Sequence, residues 1–345
     1  MAMNWVSAPG KVILFGEHAV VYGEPAVAVA VNSRMKMSVR RGDKNSVNGY
    51  PLTKAHHSYI HTALKEFWDD TPLEFKLESG IQSSTGMGSS AALSVCTSFL
   101  LSILKREATG KSVKVLGKVL GRGIEHETRI KLEALIAQRA FSIEYESQGG
   151  ASPIDTSVAT HGGGVILRRT RKENFLWETS RKDKKWNIHH MDVPDLTLVL
   201  GNTGIRARTD RQVSKVRRFV EKNSFGMEII DEIGEVVEKG IEAIEKNDPE
   251  RIGEMMNENH RLLAILGVSH PLIEKLLRTV RRHSYGAKLT GGGGGGSFIA
   301  ISPEPTKVIE ALGRFNITAF QLKLNQKGVR LEETKTTKDH DGVKR

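Results

Sequence analysis

Residues 86–92 read Gly-Met-Gly-Ser-Ser-Ala-Ala and run without a break into the apolar segment Leu93 to Leu104. Few backbone arrangements accept that order. The glycines allow a turn that other residues adopt only with strain, and the apolar run then favours a helix. Such a helix presents unpaired N–H groups and the positive end of its dipole to the turn. Two readings follow. The segment is a simple helix cap, or it is a seat for polyphosphate in which Ser89 and Ser90 add hydroxyls for phosphate oxygens or a phosphate-bound magnesium. It matches neither Gly-x-x-x-x-Gly-Lys-Ser/Thr nor a Gly-x-Gly-x-x-Gly following an obvious strand.

The segments around this loop predict a mixed fold. Ser7 to Val31 reads as strand, loop, strand, with Val12-Ile13-Leu14 apolar and Ala26 to Val31 alternating alanine and valine. His57 to Phe67 has helical spacing, and Leu73 to Leu77 alternates into the glycine loop. Val113 to Glu146 predicts two helices broken near Gly121 and Gly123. A strand is expected over Val165 to Arg168, after Gly162-Gly163-Gly164, and another over Leu196 to Leu200. The charged stretch 169–190 is the best linker candidate, and its basic runs, Arg168 to Lys172 and Arg181 to Lys185, read as a solvated hairpin or loop. Beyond it, Met227 to Lys246, Pro249 to Leu266 and Pro271 to Arg282 predict three amphipathic helices with stops at Asp248-Pro249 and His270-Pro271. Strands over Ala287 to Leu289, Phe298 to Ile301 and Ala319 to Leu324, with a helix over Pro305 to Phe315, complete the pattern. Strands and helices without regular alternation point to α+β. The expected division is 1–188, 189–331 and a disordered tail from 332 to 345, where apolar residues almost vanish.

The charge balance, 51 basic against 40 acidic residues, raises the question of nucleic acid. The basic residues are dispersed and aromatics make up only 6% of the chain, which argues against a stacking surface. A cationic enzyme acting on anionic substrates gains from the same field. No apolar run is long enough to span a membrane, and no secretory leader is legible at Met1 to Trp5. The single cysteine, Cys96, excludes an internal disulfide and fits a cytoplasmic protein. It is expected as a small core residue.

Two further glycine segments accompany the first: Pro9-Gly10-Lys11 through Gly16-Glu17-His18, and Thr290 to Gly296 with six consecutive glycines. Six glycines are entropically costly in an ordered chain. With apolar strands on both sides, this run is expected to pass close to a ligand or an active-site wall; a flexible hairpin is the plainer alternative. Glu144 lies near the end of a predicted helix, and Asp155 follows the loop Gly149-Gly150-Ala151-Ser152-Pro153. They are either a solvated helix glutamate and a loop-capping aspartate or a carboxylate pair folded onto one site. Phosphoryl transfer to an alcohol needs such a pair: one group to hold magnesium, one to accept the hydroxyl proton, and a cation such as Lys11 against developing charge.

Ser7-Ala-Pro-Gly-Lys-Val-Ile-Leu-Phe-Gly-Glu-His-Ala-Val-Val-Tyr-Gly23 resembles the first motif of the GHMP kinases. Gly86 to Ala92 resembles their second, ATP-binding motif, and Lys288-Leu-Thr-Gly-Gly-Gly-Gly-Gly-Gly296 their third. The three stand in family order, and with the intervening segments the likeness covers about residues 5 to 330. Gly16 to Gly23 has the form found in mevalonate kinases, as do Leu266 to Pro271 and Ala151 to Asp155, particularly the archaeal ones. The resemblance implies a fold: an N-terminal α+β domain like a ribosomal-protein domain, a C-terminal ferredoxin-like domain, and a site between them.

It also implies roles. Asp155 is the expected catalytic base and Lys11 its electrostatic partner. Gly86, Met87, Gly88, Ser89, Ser90 and Ala91 are expected to bind ATP, and Ser90 and Glu144 to hold Mg2+. Glu17 and His18 would line a mevalonate site, and Thr209, after Asn202-Thr203, would help align that substrate. The implied partners are ATP and mevalonate, with no nucleic acid and no membrane; a homodimer is the family's habit. Another small-molecule kinase of the family, acting at the 3-hydroxyl of mevalonate or on phosphomevalonate, is the alternative, as is a non-catalytic nucleotide-binding regulator. The sequence departs from the family pattern at Gln82, Met87 and Pro153, which touch loop stiffness and leave the reactive groups in place.

Overall fold

A computed structural model of the chain describes residues 5–68, 70–82, 85–108, 126–182 and 184–332. Two antiparallel-rich sheets organise it. The larger is built on β1 (Trp5–Phe15) and the long β2 (Ala26–Arg41). Their alternation of Ala and Val with small or charged residues gives strands that bury both faces for most of their length. β2 runs sixteen residues because it serves three partners: β1 along most of its length, β6 (Gly164–Arg168) at its start and β5 (Leu73–Ser79) at its end. The short β3 (Ser46–Val47) and β4 (Tyr50–Pro51) extend the β5 side. β7 (Phe175–Arg181) and β8 (Lys184–Met191) close the other side.

Helix α1 (Ser58–Phe67) precedes β5, and α2 (Ser89–Ala108) follows the glycine loop. α2 packs on β1 and β2 and against α3 (His126–Gln148) and α4 (Ile154–His161). It is apolar almost all round, as a central helix must be. Two of its buried hydroxyls turn back on the helix itself: Thr97 donates to Leu93 O at 2.8 Å and Ser102 to Ser98 O at 2.8 Å. Cys96 is wholly buried there, and burial pushes its thiol up to about 12, so it behaves as a small apolar residue.

The smaller sheet contains β9 (Thr197–Asn202), β10 (Gly286–Leu289), β11 (Ser297–Ile301) and β12 (Thr318–Lys323) in the order β10-β11-β9-β12. All its pairings are antiparallel. With helices α5 (Thr209–Lys222), α6 (Gly226–Glu245), α7 (Pro249–Ile265) and α8 (Pro271–Val280) between β9 and β10, and α9 (Pro305–Gly313) between β11 and β12, this is the ferredoxin-like order. The chain finally returns to the first sheet, where β13 (Arg330–Leu331) pairs with β1. We propose a division into two domains close to residue 190, since β8 is, apart from the returning β13, the last strand of the large sheet and β9 opens the small one.

Most expected elements fall within a residue or two of their places. Two do not: β2 runs ten residues past Val31, to Arg41, and the stretch 169–190, read as a linker, is largely the hairpin β7–β8, on which Trp177, Trp186 and Ile188 are buried. Helices α4 and α5 were not anticipated. The expected helix break at Gly121 and Gly123 lies outside the described residues, as does the tail beyond Glu332. Glu332 itself is tied in, accepting from Ser7 and from Arg330. Among the described residues no helix is long and apolar enough to cross a membrane.

Candidate active site

Lys11 sits mid-strand on β1, opposite Ala30, just past an irregularity in the β1–β2 pairing between Pro9 and Gly10. Its N–H donates to Met87 O at 3.0 Å, which ties the glycine loop to the strand. The Lys11 stem runs beneath that loop. A Cβ on Gly88 would lie 3.0 Å from Lys11 Cγ and 3.1 Å from Cε, and the backbone there has φ of +70°. Gly88 is therefore required twice over, for its conformation and for the passage of the lysine. Met87 sends its side chain into the core, so its carbonyl is what it gives to the β1 contact.

Lys11 Nζ meets Asp155 Oδ2 at 3.1 Å. The lysine side chain is almost sealed, at 6% exposure, while the carboxylate keeps 27%. Asp155 lies in the first turn of α4, where the helix dipole favours an anion. Glu144, near the end of α3, accepts from Ser90 Oγ at 2.6 Å and from Gln148 Nε2 at 3.0 Å. Burial pushes the Glu144 carboxyl up to about 7, and the charge of Asp155 adds to the shift. The carboxylate pair anticipated across eleven residues thus meets at one site, Asp155 paired with a cation and Glu144 without one.

The opposite wall comes from the β1–β2 connection and the glycine run. His18 adopts a left-handed backbone, φ 65°, and its Nε2 contacts Gly292 O at 3.0 Å. Burial lowers its pKa to about 4, so the ring is neutral and Nε2–H is the donor to that carbonyl. Glu17 pairs with Lys288, and both side chains are buried. The glycine run is braced mostly by protein. Gly294 N–H donates to Val268 O at 2.7 Å, and a Cβ on Gly293 would fall 2.3 Å from that same oxygen. Leu266 to Pro271 therefore acts as the run's support. Thr209, the first residue of α5, packs on Gly292, whose Cβ would lie 3.1 Å from Thr209 Oγ1. Thr290 Oγ1 donates to Ile13 O at 3.0 Å and Ser297 Oγ to Thr85 O at 2.8 Å, stitching the small sheet to β1 and to the loop.

Between these walls lies a cavity of about 480 Å³. Lys11, Glu17, His18, the loop from Gly86 to Ser90, Glu144, Asp155 and Thr209 all line it. Ala91 does not; it is buried on α2 behind the loop. Sequence reasoning overlooked two residues. Gln148 follows Glu144 by one helical turn, a spacing that puts both on one face. Lys288 belongs to the third glycine motif but was given no task; its signal is a lysine between Ala287 and Leu289 in a strand buried throughout. The arrangement can hold anionic groups at the N-terminus of α2 and set a carboxylate–ammonium pair against a hydroxyl.

The model of the GHMP kinases N-terminal domain matches residues 56–163 and that of the GHMP kinases C-terminal region matches 241–318. The chain is 33% identical to the mevalonate kinase of Methanothermobacter thermautotrophicus over 94% of this chain and 98% of that protein. It is 32% identical to that of Archaeoglobus fulgidus, over 95% and 99%. Among solved structures, Methanococcus jannaschii mevalonate kinase superposes with a TM-score of 0.70 at 24% identity, over 94% of this chain and 99% of the other. L. major mevalonate kinase in complex with R-mevalonate gives 0.73 at 22% identity, over 95% and 97%. Both the family models and the nearly full-length archaeal likeness place the chain in the GHMP kinase family, on its mevalonate kinase branch.

Proposed function

We propose that this chain transfers the γ-phosphoryl group of ATP to the 5-hydroxyl of (R)-mevalonate, giving 5-phosphomevalonate and ADP. The observation that carries the reading is the Lys11–Asp155 pair, set at 3.1 Å in a cavity that the Gly86–Ser90 loop also lines. The likeness to mevalonate kinases selects the alcohol.

Each residue then has a task. Backbone N–H groups of the loop and the positive end of α2 hold the nucleotide phosphates. Asp155, partly exposed and in its helix's first turn, accepts the proton of the attacking hydroxyl. Lys11 pairs with that carboxylate and balances charge on the transferring group. Glu17 and His18 form the wall against the alcohol, and Thr209 aligns it from the start of α5.

Magnesium fits the remaining pair. Ser90 Oγ and Glu144 Oε1 are hard oxygens already in contact, and burial with the neighbouring Asp155 charge, which pushes the Glu144 carboxyl up, is what a bound cation would relieve. Among the described residues no cluster of three or more carboxylate, imidazole or thiol groups could hold a metal. Magnesium needs none, since it takes one or two carboxylates and completes its shell with phosphate and water. When bound, it supplies charge neutralisation for the phosphates.

Glu144→Gln is expected to raise the magnesium needed for half-maximal rate by about 10- to 100-fold, the loss typical when a metal's protein contacts are disturbed. Mevalonate affinity should change little. Magnesium titrations of rate, and of the melting shift with ADP present, check this. An unchanged titration would leave Glu144 as an ordinary buried helix residue. The activity itself is tested by ADP release over a panel of alcohols, with phosphorus NMR of the product. A 3-phosphate, or turnover only with phosphomevalonate or a sugar, overturns the assignment.

A further inference from the structure

Lys288 is the most deeply buried cation near the cavity, at 0% exposure, and its partner Glu17 is 271 positions away in the turn that follows β1. A buried ion pair is a poor way to gain stability, because both ions lose their water. Two apolar side chains would fill the same space at less cost. The Lys288 Nζ also donates to Leu289 O at 2.8 Å, so its direction is fixed by its own strand. What the pair holds is the turn Gly16-Glu17-His18, a wall of the cavity whose His18 backbone is left-handed. Both side-chain anchors of that turn come from one short stretch: Lys288 takes Glu17, and Gly292 O takes the His18 ring.

A second observation points outward. Only Oε1 of Glu17 is engaged by Lys288. Oε2 is sealed from water and receives no hydrogen bond from the described residues. A buried acceptor left empty is costly, and few survive in folded proteins. Glu17 lines the cavity, so a donor on a molecule held there meets that oxygen once the carboxylate turns toward it. An anionic acceptor repels a carboxylate and phosphate and accepts from a hydroxyl.

Resting on the function proposed above, we propose that Lys288 is a positioning residue. It fixes Glu17 and, with Gly292, the Glu17–His18 wall, leaving Glu17 Oε2 as the acceptor for a hydroxyl of the bound alcohol. The lysine touches no substrate; it acts through Glu17. It follows that the pair governs the alcohol and leaves the nucleotide, held across the cavity by the Gly86–Ser90 loop, unaffected.

The test compares Lys288→Met, Lys288→Arg and the double variant Glu17→Gln/Lys288→Met, each purified as the full chain. ADP release gives KM for each substrate and kcat; melting curves with and without alcohol give binding apart from turnover. The wild-type alcohol panel is run first. If it selects an alcohol other than mevalonate, the earlier reading fails, and the Lys288 comparison proceeds with the alcohol that is used. Lys288→Met should raise the alcohol KM by about 10- to 100-fold, the loss expected of one charge-assisted hydrogen bond. KM for ATP should hold, and Lys288→Arg should recover part of the loss. The double variant buries no unpaired charge, so its melting temperature should return toward wild type while the alcohol KM stays high. Recovery of both in the double variant would make the pair purely structural and overturn the proposal. So would equal losses in the KM values for ATP and the alcohol. Should Lys288→Met fail to fold, the double variant still decides between these outcomes.

Discussion

Asp155→Asn is expected to lower kcat by about 10²- to 10⁴-fold, the range for losing a general base. ATP should still bind. The amide keeps the size of the carboxyl, and its oxygen can still accept from Lys11 Nζ, now 3.1 Å from Oδ2. What it cannot do is take up the proton of the attacking hydroxyl. Lys11 is nearly sealed from solvent, so the variant leaves a buried ammonium with a weaker partner. A melting curve must therefore accompany the kinetics. The nucleotide is not expected to sense the change, because its phosphates are assigned to the loop and to α2. Calorimetry with ATP and ADP release at saturating substrate separate the two effects. Near-normal kcat in a folded Asp155→Asn variant would remove Asp155 from the chemistry.

Much of the frame is written in local signals. Pro249 and Pro271 open α7 and α8, and the residues before them cap those helices. Asp248 accepts from Arg251 N–H at 2.9 Å, and His270 Nδ1 accepts from Leu272 N–H at 3.1 Å. Such caps involve neighbours in the chain, so a sequence displays them fully. The β7–β8 hairpin hides behind its charges. Its buried Trp177, Trp186 and Ile188 flank a stretch, Arg181 to Lys185, whose density of Lys and Arg mimics a linker. α5 is obscured in the same way, with Val216 as its one fully buried residue.

The site shows the same split. Lys11, Glu144 and Asp155 are polar residues in recognisable motifs, so their chemistry is visible even though their approach is not. Lys288 needs a different kind of knowledge. A lysine inside a buried strand looks like an error in a strand pattern until Glu17, from the turn after β1, arrives beside it. The glycine run likewise suggested a close ligand. Much of its closeness is to Val268, Gln212 and Ile205, protein neighbours that no local pattern predicts. Only Gly291 and Gly292 of the run reach the cavity.

Lys11→Met is expected to lower kcat by roughly 10²- to 10³-fold, the loss seen when a preorganised electrostatic contact to a transition state is removed. Methionine preserves the length of the stem that threads under the loop and removes only the charge. Asp155 would keep its partial exposure and its place at the start of α4, so the fold tolerates the unpaired carboxylate. ATP affinity should shift modestly. Gly88 does not offer a clean opposite to this variant, because any side chain there meets the Lys11 stem at about 3 Å. Gly88→Val should therefore lose turnover as well as nucleotide, by displacing the lysine. Gly86 is the better probe of the loop. It lines the cavity, and a Cβ there meets no atom within 4 Å, so Gly86→Ala strains only a backbone at φ +71°. That strain should weaken ATP and leave kcat at saturating nucleotide nearly intact. Calorimetry for ATP, ADP release for kcat and a melting curve for each variant decide the matter. If Lys11→Met abolishes ATP binding yet turns over normally once nucleotide is saturating, the lysine serves the phosphates and not the reacting hydroxyl.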